Sequence, residues 1–139
     1  MIPLASGEPA SCAVRCDRDV ITARQLGRLL GSELGFSRSD LALIATAISE
    51  LARNIVVYAG RGEVIVEQIE GSRGKGLRIV ARDNGPGIED IGSAMLDGFS
   101  TGSSLGLGLP GTRRLVDDFE LVSSPNQGVT VTAVKWLKP

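Results

Sequence analysis

The feature that most constrains this chain is a pair of glycine-rich segments, one following a predicted strand and one preceding a predicted helix. The first segment is residues 83–88 (DNGPGI), and the second is residues 105–109 (LGLGL). The strand over residues 77–83 places Asp83 on its apolar face, so that face ends in a carboxylate. A buried aspartate needs a partner, which is either a backbone donor or a ligand. An Asx-capped turn is the plain structural alternative, because Asp-Asn-Gly favours such turns.

The second glycine segment precedes a predicted final helix over residues 111–119, with Pro110 in its first turn. Free N–H groups and the helix dipole at such an N-terminus favour an anion, for example a polyphosphate. A flexible loop is the alternative, since the spacing matches neither the P-loop nor the dinucleotide fingerprint.

An amphipathic helix supplies a third polar cluster. Ser37 and Ser39 are candidate N-caps, and Glu50 and Asn54 lie one turn apart beside the apolar stripe. An Asn carbonyl oxygen suits a Mg²⁺ ion that already carries phosphate oxygens, and a glutamate can accept a proton. A solvated helix face is the alternative. The apolar stripe consists of Leu41, Ile44, Ile48, Leu51 and Ile55.

The remaining pattern predicts one domain over residues 1–139, with residues 1–12 as a loose lead-in. A first helix is expected from Asp19 to a stop at Gly35. The other expected elements are an edge strand near 13–15, a strand over 63–69, a loose turn over 71–76, a short helix near 91–96, a mobile lid over 98–104, and a terminal hairpin of 120–123 and 129–136 joined by a turn at 125–128.

Composition excludes several classes of function. The net charge of −1 gives no electrostatic footprint for nucleic acid, and the lack of histidine excludes a His base or His-based metal site. No apolar run approaches the ~20 residues that span a bilayer, so we expect a cytoplasmic protein without a membrane segment. Cys12 and Cys16 are expected to be reduced thiols.

The three clusters, in this order, resemble those of the GHKL ATPase/kinase superfamily over nearly the whole chain, from Asp17 to Leu137. Residues 50–54 (ELARN) look like its N-box, residues 83–87 its first glycine box and residues 104–109 its second. Within the superfamily, residues 47–54, 97–101 and 134–137 are most similar to the switch serine kinases of bacterial stressosome modules.

This resemblance implies an α+β two-layer sandwich of the Bergerat type, with a mixed, mostly antiparallel sheet and helices on one face. It implies ATP and Mg²⁺ as ligands and phosphorylation of a serine or threonine on a STAS-domain antagonist. The released kinase would then bind and activate a PP2C-type phosphatase. A homodimer is compatible with such a module.

The resemblance also implies roles for individual residues. Glu50 would be the general base, Asn54 the Mg²⁺ ligand, and Asp83 the acceptor for the adenine amino group. The other implied ATP contacts are Arg53, Gly85, Gly87, Ile88, Thr101, Ser104, Leu105, Gly106, Leu107, Gly108 and Leu109.

The chain departs from the family pattern at two points. The usual Gly-Thr pair reads Gly128-Val129, and Thr130 is out of phase with it. Residues 84–112 contain no Lys or Arg, so the γ-phosphate would rely on Mg²⁺, on backbone amides, or on a cation such as Arg53, Arg113 or Arg114.

A binding function is the alternative to a kinase. Relatives with this fold sequester sigma factors, and here nucleotide would only shape a docking surface made of the lid and the exposed positions of the first helix.

Overall fold

The computed structural model describes residues 4–5, 8–85, 108–124 and 128–138. The predicted helix at 91–96, the predicted lid at 98–104 and most of the turn at 125–128 lie outside these residues. The described elements are β1 (Leu4–Ala5), β2 (Ala10–Val14), α1 (Asp17–Leu34), α2 (Arg38–Asn54), a π turn (Ile55–Ala59), β3 (Gly62–Gly71), β4 (Gly74–Asp83), α3 (Gly108–Leu115), β5 (Asp118–Ser124) and β6 (Gly128–Trp136).

The six strands form one sheet in the order β1-β3-β4-β6-β5, with β2 also paired to β3. Every pairing between the described strands is antiparallel. The predicted α+β sandwich is therefore confirmed, whereas the expected parallel component of a mixed sheet is absent from the described strands. Hairpin connections account for two of these pairings, β3 with β4 and β5 with β6, because consecutive strands joined by short loops run antiparallel.

The helices cover one face of the sheet with an aliphatic core. The predicted α2 stripe is confirmed, since Ile44, Ile48, Leu51 and Ile55 are at most 3% exposed and Leu41 is partly buried. Ser37 caps the helix as predicted, and its hydroxyl oxygen accepts a hydrogen bond from the Asp40 N–H at 3.1 Å. Ser39 lies inside the helix instead of capping it.

One continuous helical stretch passes a length and composition test for a membrane span. It runs from Arg38 to Ala59, 22 residues, and an 18-residue window within it has a mean hydropathy of 1.5. Glu50, Arg53 and Asn54 interrupt it, so it is not a continuous apolar run. Half of the window is buried inside the fold, and the core helix of a soluble protein passes the same test.

Two predicted boundaries near the N-terminus shift. α1 begins at Asp17, ahead of the predicted Asp19. β2 begins at Ala10 and pairs with β3 from Val66 to Gly62, so part of the expected loose lead-in belongs to the sheet.

The predicted loose turn over 71–76 is a tight hairpin. Gly71 pairs with Gly74, which leaves only Ser72 and Arg73 between the strands. Gly74 has a φ of 95°, a left-handed conformation that glycine adopts readily.

The final helix is displaced toward the N-terminus of the chain. It ends at Leu115. Phe119, which was predicted to be helical, belongs to β5 and pairs with Ala133 of β6. Trp136 explains the early start of this strand. Its backbone N–H and indole N–H donate to the carboxylates of Asp117 and Asp118 at 2.7 and 2.8 Å.

Candidate active site

Glu50 is buried near the end of α2. The residue is 6% exposed, and its carboxylate forms an ion pair with the guanidinium of Arg53 at 2.9 Å. The two residues are three positions apart, so the helix itself brings them together. A buried carboxylate is costly without a partner, and the guanidinium of Arg53 supplies that partner.

Asn54 ends α2, one turn after Glu50. Its side chain is half-buried and has no hydrogen bond to another described residue. The π turn follows directly, and single π turns are frequent at functional sites. An amide carbonyl without a protein partner fits the predicted role as a Mg²⁺ ligand.

The described residues contain no cluster of three or more carboxylate, cysteine or histidine side chains that could hold a metal. A Mg²⁺ ion at Asn54 would therefore need most of its ligands from phosphate oxygens and water. Mg²⁺ commonly binds to proteins in this way, through one or two side chains and the phosphates of a substrate.

Asp83 ends β4 in a half-buried position. Its Oδ1 atom accepts a hydrogen bond from the Gly85 N–H at 2.8 Å. The Asx turn named as the structural alternative is thus present. It occupies one carboxylate oxygen, and Oδ2 has no hydrogen-bond partner among the described residues. The turn and a ligand contact are therefore compatible.

Gly85 lies in close contact with the π turn. A Cβ atom built on Gly85 would lie 2.7 Å from the Cβ atom of Ala59 and 3.0 Å from its Cα atom, which leaves no room for a side chain. The segment that follows Asn54 therefore touches the loop that follows Asp83.

The second glycine segment is described only at its end. Gly87, Ile88, Thr101, Ser104, Leu105, Gly106 and Leu107 lie outside the described residues. Gly108 begins α3, whereas Leu109 is 7% exposed and packs in the hydrophobic core. The Leu109 side chain is therefore part of the core, and only its backbone is suited to the predicted phosphate contact.

The three candidate cations for the γ-phosphate differ in position. Arg53 is already paired with Glu50. Arg113 and Arg114 lie in the last turn of α3, at the opposite end from the helix N-terminus that would face an anion. The basic side chains of α3 itself are therefore confined to its last turn.

A cavity of about 580 Å³ lies at the ends of β2, β3, β4 and β6, and its lining includes Asp83, Arg82, Glu63 and Thr130. Neither Glu50 nor Asn54 lines it. Arg82 pairs with Glu63 on one side and with Thr130 on the other, whereas the adjacent Ala81 is in the core. Thr130 thus lies on the face away from the helices, whereas Asp83 and Ala59 also line this cavity.

Sequence reasoning missed the Arg53–Glu50 pair, the π turn and the contact between Ala59 and Gly85. The first could have been found, because the two charges are spaced by three residues in a predicted helix. The other two depend on how α2 is joined to β3 and have no local signal.

Three comparisons with known proteins show what the chain is similar to. Residues 39–139 match the family described as histidine kinase-, DNA gyrase B- and HSP90-like ATPase. The chain is 52% identical to the serine/threonine-protein kinase RsbT of Bacillus subtilis (strain 168), over 92% of this chain and 97% of that protein. It is 28% identical to the anti-sigma F factor of Thermoanaerobacter sp. (strain X514), over 83% of each chain.

The fold is also found in a crystal structure of the RsbU and RsbW domains of a Mycobacterium tuberculosis protein. The TM-score is 0.68 at 21% identity, with 96% of this chain matched. The match spans 34% of that longer chain, so this likeness concerns the fold alone.

Proposed function

The chain belongs to the family of histidine kinase-, DNA gyrase B- and HSP90-like ATPases, and we propose that it is an ATP-dependent protein serine/threonine kinase of a bacterial partner-switching module. The observation that carries this proposal is the buried Glu50 carboxylate, held by Arg53 one turn before an uncommitted Asn54. The 52% identity to a serine/threonine kinase over nearly the whole chain supports it.

In the proposed reaction, the oxygen of an acceptor serine or threonine attacks the γ-phosphorus of ATP. The new O–P bond forms as the bond between the γ-phosphorus and its bridging oxygen breaks, and ADP leaves. Glu50 accepts the hydroxyl proton, which is the work of a general base within hydrogen-bond reach. Arg53 donates a hydrogen bond to Glu50 Oε1 at 2.9 Å and so fixes the direction of the carboxylate.

The remaining site residues bind and orient the nucleotide. Asp83 accepts a hydrogen bond from the adenine amino group through its Oδ2 atom, while Oδ1 stays with Gly85. Asn54 contributes to the Mg²⁺ site, where the ion supplies charge neutralisation for the phosphates. Gly85 brings the main chain close to the base because it has no Cβ.

We propose a STAS-domain protein as the acceptor and a PP2C-type phosphatase as the second partner. The exposed face of α1 supports a protein-binding role. Ile21 and Leu29 on this face are 45% and 59% exposed, and Arg18 and Arg28 lie beside them and are also exposed. Asp17 and Glu33 lie one turn from Ile21 and Leu29 and are exposed as well. This face therefore suits a partner surface with apolar side chains and charges of both signs.

The partner surface can be tested by a pull-down with the STAS protein. We expect Leu29→Ser to weaken binding, whereas Val122→Ser does not. Val122 is 54% exposed on β5, in register with Thr130 on the face away from the helices, so it is a matched control. Equal binding by both variants would remove α1 from the interface.

The kinase reaction itself is tested with ATP, Mg²⁺ and the STAS protein encoded nearest to this chain. We expect phosphate transfer by wild type and almost none by Glu50→Gln. An absence of transfer by the wild-type protein, together with stable binding of a sigma factor, would favour the alternative. Sequestration of a sigma factor is not favoured now, because the relatives named as anti-sigma factors are 28% identical or less.

We further propose that the protein works in the cytoplasm. ATP is available there, and Cys12 and Cys16 are free thiols in the structure, as expected in a reducing compartment.

A further inference from the structure

Two glycines outside the predicted ATP contacts lie against the end of β4, at Arg82, Asp83 and Asn84. Gly128 is the first residue of β6 and has a φ of 87°. A Cβ atom on Gly128 would lie 1.9 Å from the carbonyl oxygen of Asp83 and 2.9 Å from the Cα atom of Asn84. Real Cβ atoms do not approach other atoms this closely, so any side chain at Gly128 would push the end of β4 away.

Gly62 makes the equivalent approach from the other neighbouring strand. It is the first residue of β3 and pairs with Asp83 in the sheet register. Its Cβ would lie 2.4 Å from the carbonyl oxygen of Arg82 and 3.0 Å from the Cβ atom of Asp83. Glycine weakens a strand, and its presence there often marks the close approach of another backbone.

We propose that Gly62 and Gly128 are positioning residues for Asp83, and that they set the preference for an adenine nucleotide over a 6-oxopurine nucleotide. The inference rests on the proposed function of Asp83 as the acceptor for the adenine amino group. With a glycine on each side, β3 and β6 fix the strand end in the sheet plane, and the Gly85 N–H fixes the carboxylate above it. The free oxygen then points in one direction.

The chemistry of the base explains the expected selectivity. Adenine offers an amino donor to Asp83, whereas hypoxanthine presents a carbonyl oxygen at the same position, and two acceptors repel each other. A site that is built around one donor rejects an analogue lacking it only if its acceptor cannot move away. Displacing Asp83 should therefore reduce discrimination more than it reduces overall affinity.

The chain contains a matched control for backbone strain. Gly74 has a φ of 95°, close to that of Gly128, but no atom lies within 4 Å of a Cβ built there. Gly74→Ala thus introduces left-handed strain in the same sheet without a clash. Gly128→Ala introduces both, and Gly62→Ala introduces the clash without a positive φ.

The test is calorimetric titration of ATP and of ITP with excess Mg²⁺ into the full chain, with thermal unfolding measured in parallel. Wild type should prefer ATP, and Gly128→Ala and Gly62→Ala should each lower the ratio of ATP to ITP affinity by about tenfold or more, the effect of one disturbed hydrogen bond to a charged group. Gly74→Ala should unfold at a lower temperature and keep the wild-type ratio. In an Asp83→Asn background, Gly62→Ala should change the ratio no further.

The outcomes separate two failures. A wild type that binds neither nucleotide, or binds both equally well, overturns the proposed role of Asp83. A wild type that prefers ATP, with an unchanged ratio in Gly62→Ala, overturns the positioning role and leaves the proposed function standing. If Gly128→Ala does not fold, Gly62→Ala decides the question.

Discussion

Two buried glutamates on opposite faces of the sheet show how this protein separates stability from function. Glu50 is 6% exposed on the helix side, and Glu67 is 8% exposed on the other face. Both form an ion pair with an arginine, Glu50 with Arg53 and Glu67 with Arg78. The partner of Glu50 lies on its own helix, whereas the partner of Glu67 lies on the neighbouring strand.

The difference lies in what surrounds each pair. Glu67 joins β3 to β4, and Ile69, Val134 and Trp136 form a small apolar cluster on the same face. Glu50 joins no two elements, and the uncommitted Asn54 follows it. A buried ion pair between two strands helps to hold them together. A buried ion pair within one helix has the same desolvation penalty but connects no two elements. Such a group is expected at a functional site.

Replacing each glutamate with glutamine tests most strongly whether Glu50 and Glu67 have different roles. Glu50→Gln keeps the shape and removes the base, so we expect the rate of phosphate transfer to fall by about 100-fold or more. Glu67→Gln should keep the transfer rate and lose about 1–3 kcal/mol of unfolding free energy, because Arg78 loses a charged partner. Transfer assays and urea unfolding of both variants measure this. A similar loss of transfer in both would contradict the distinction.

Asp83 extends the comparison to the strand ends. In Asp83→Asn the amide oxygen still caps the Gly85 N–H, but an NH₂ group replaces the free oxygen and faces the adenine amino group. We expect ATP affinity to fall by about 10–100-fold with little change in stability. Asp118→Asn, at the start of β5, is the control and should bind ATP as wild type does. Calorimetric titration decides, and equal affinities for Asp83→Asn and wild type would remove Asp83 from the site.

Asn54 is expected to have a smaller effect. Asn54→Ala should weaken binding of Mg²⁺-ATP by about tenfold, the size of effect seen when metal coordination is disturbed. Unfolding free energy should stay equal or rise, since alanine is the better helix former. Thr46→Ala, an exposed change on the same helix, should keep Mg²⁺-ATP binding at the wild-type level while its stability also stays equal or rises. Parallel loss of binding and stability would make Asn54 a structural residue.

The smallest expected effect is a difference in reactivity between two thiols, Cys12 in β2 and Cys16 at the N-cap of α1. Burial, and then the nearby Asp19 carboxylate, raise the pKa of the Cys12 thiol. A raised pKa means that less thiolate is present at neutral pH, and the thiolate is the form that reacts. We therefore expect alkylation to reach the exposed Cys16 first and Cys12 only as the pH rises. Mass spectrometry after timed iodoacetamide treatment measures the order, and faster labelling of Cys12 would contradict the assigned burial.

Much of the fold followed from local patterns in the sequence. The spacing of Ile44, Ile48 and Leu51 predicted the buried face of α2, and alternation predicted β3, β4 and β6 to within a few residues. These signals are local, because one face of each element must be apolar. The start of β5 was missed because its cause is distant, namely the hydrogen bonds from Trp136 to Asp117 and Asp118.

The individual residues of the candidate site could be predicted from the sequence, but the contacts between them could not. The sequence predicted that Glu50 and Asn54 share a helix flank and that Asp83 ends a strand. It did not predict that a π turn brings Ala59 against Gly85, or that Gly62 and Gly128 approach the end of β4 from the two neighbouring strands. These contacts join residues far apart in the chain, and a single glycine in a sequence does not reveal which backbone approaches it.

The central claim is that Glu50, Asn54 and Asp83 surround one ATP molecule. Isothermal titration calorimetry of ATP into the wild-type protein, with excess Mg²⁺, tests this claim most directly. We expect saturable heat with one ATP bound per chain, weakened in Asp83→Asn and in Asn54→Ala but retained in Glu67→Gln. No heat from the wild-type protein, or equal heats from all four proteins, would contradict the claim.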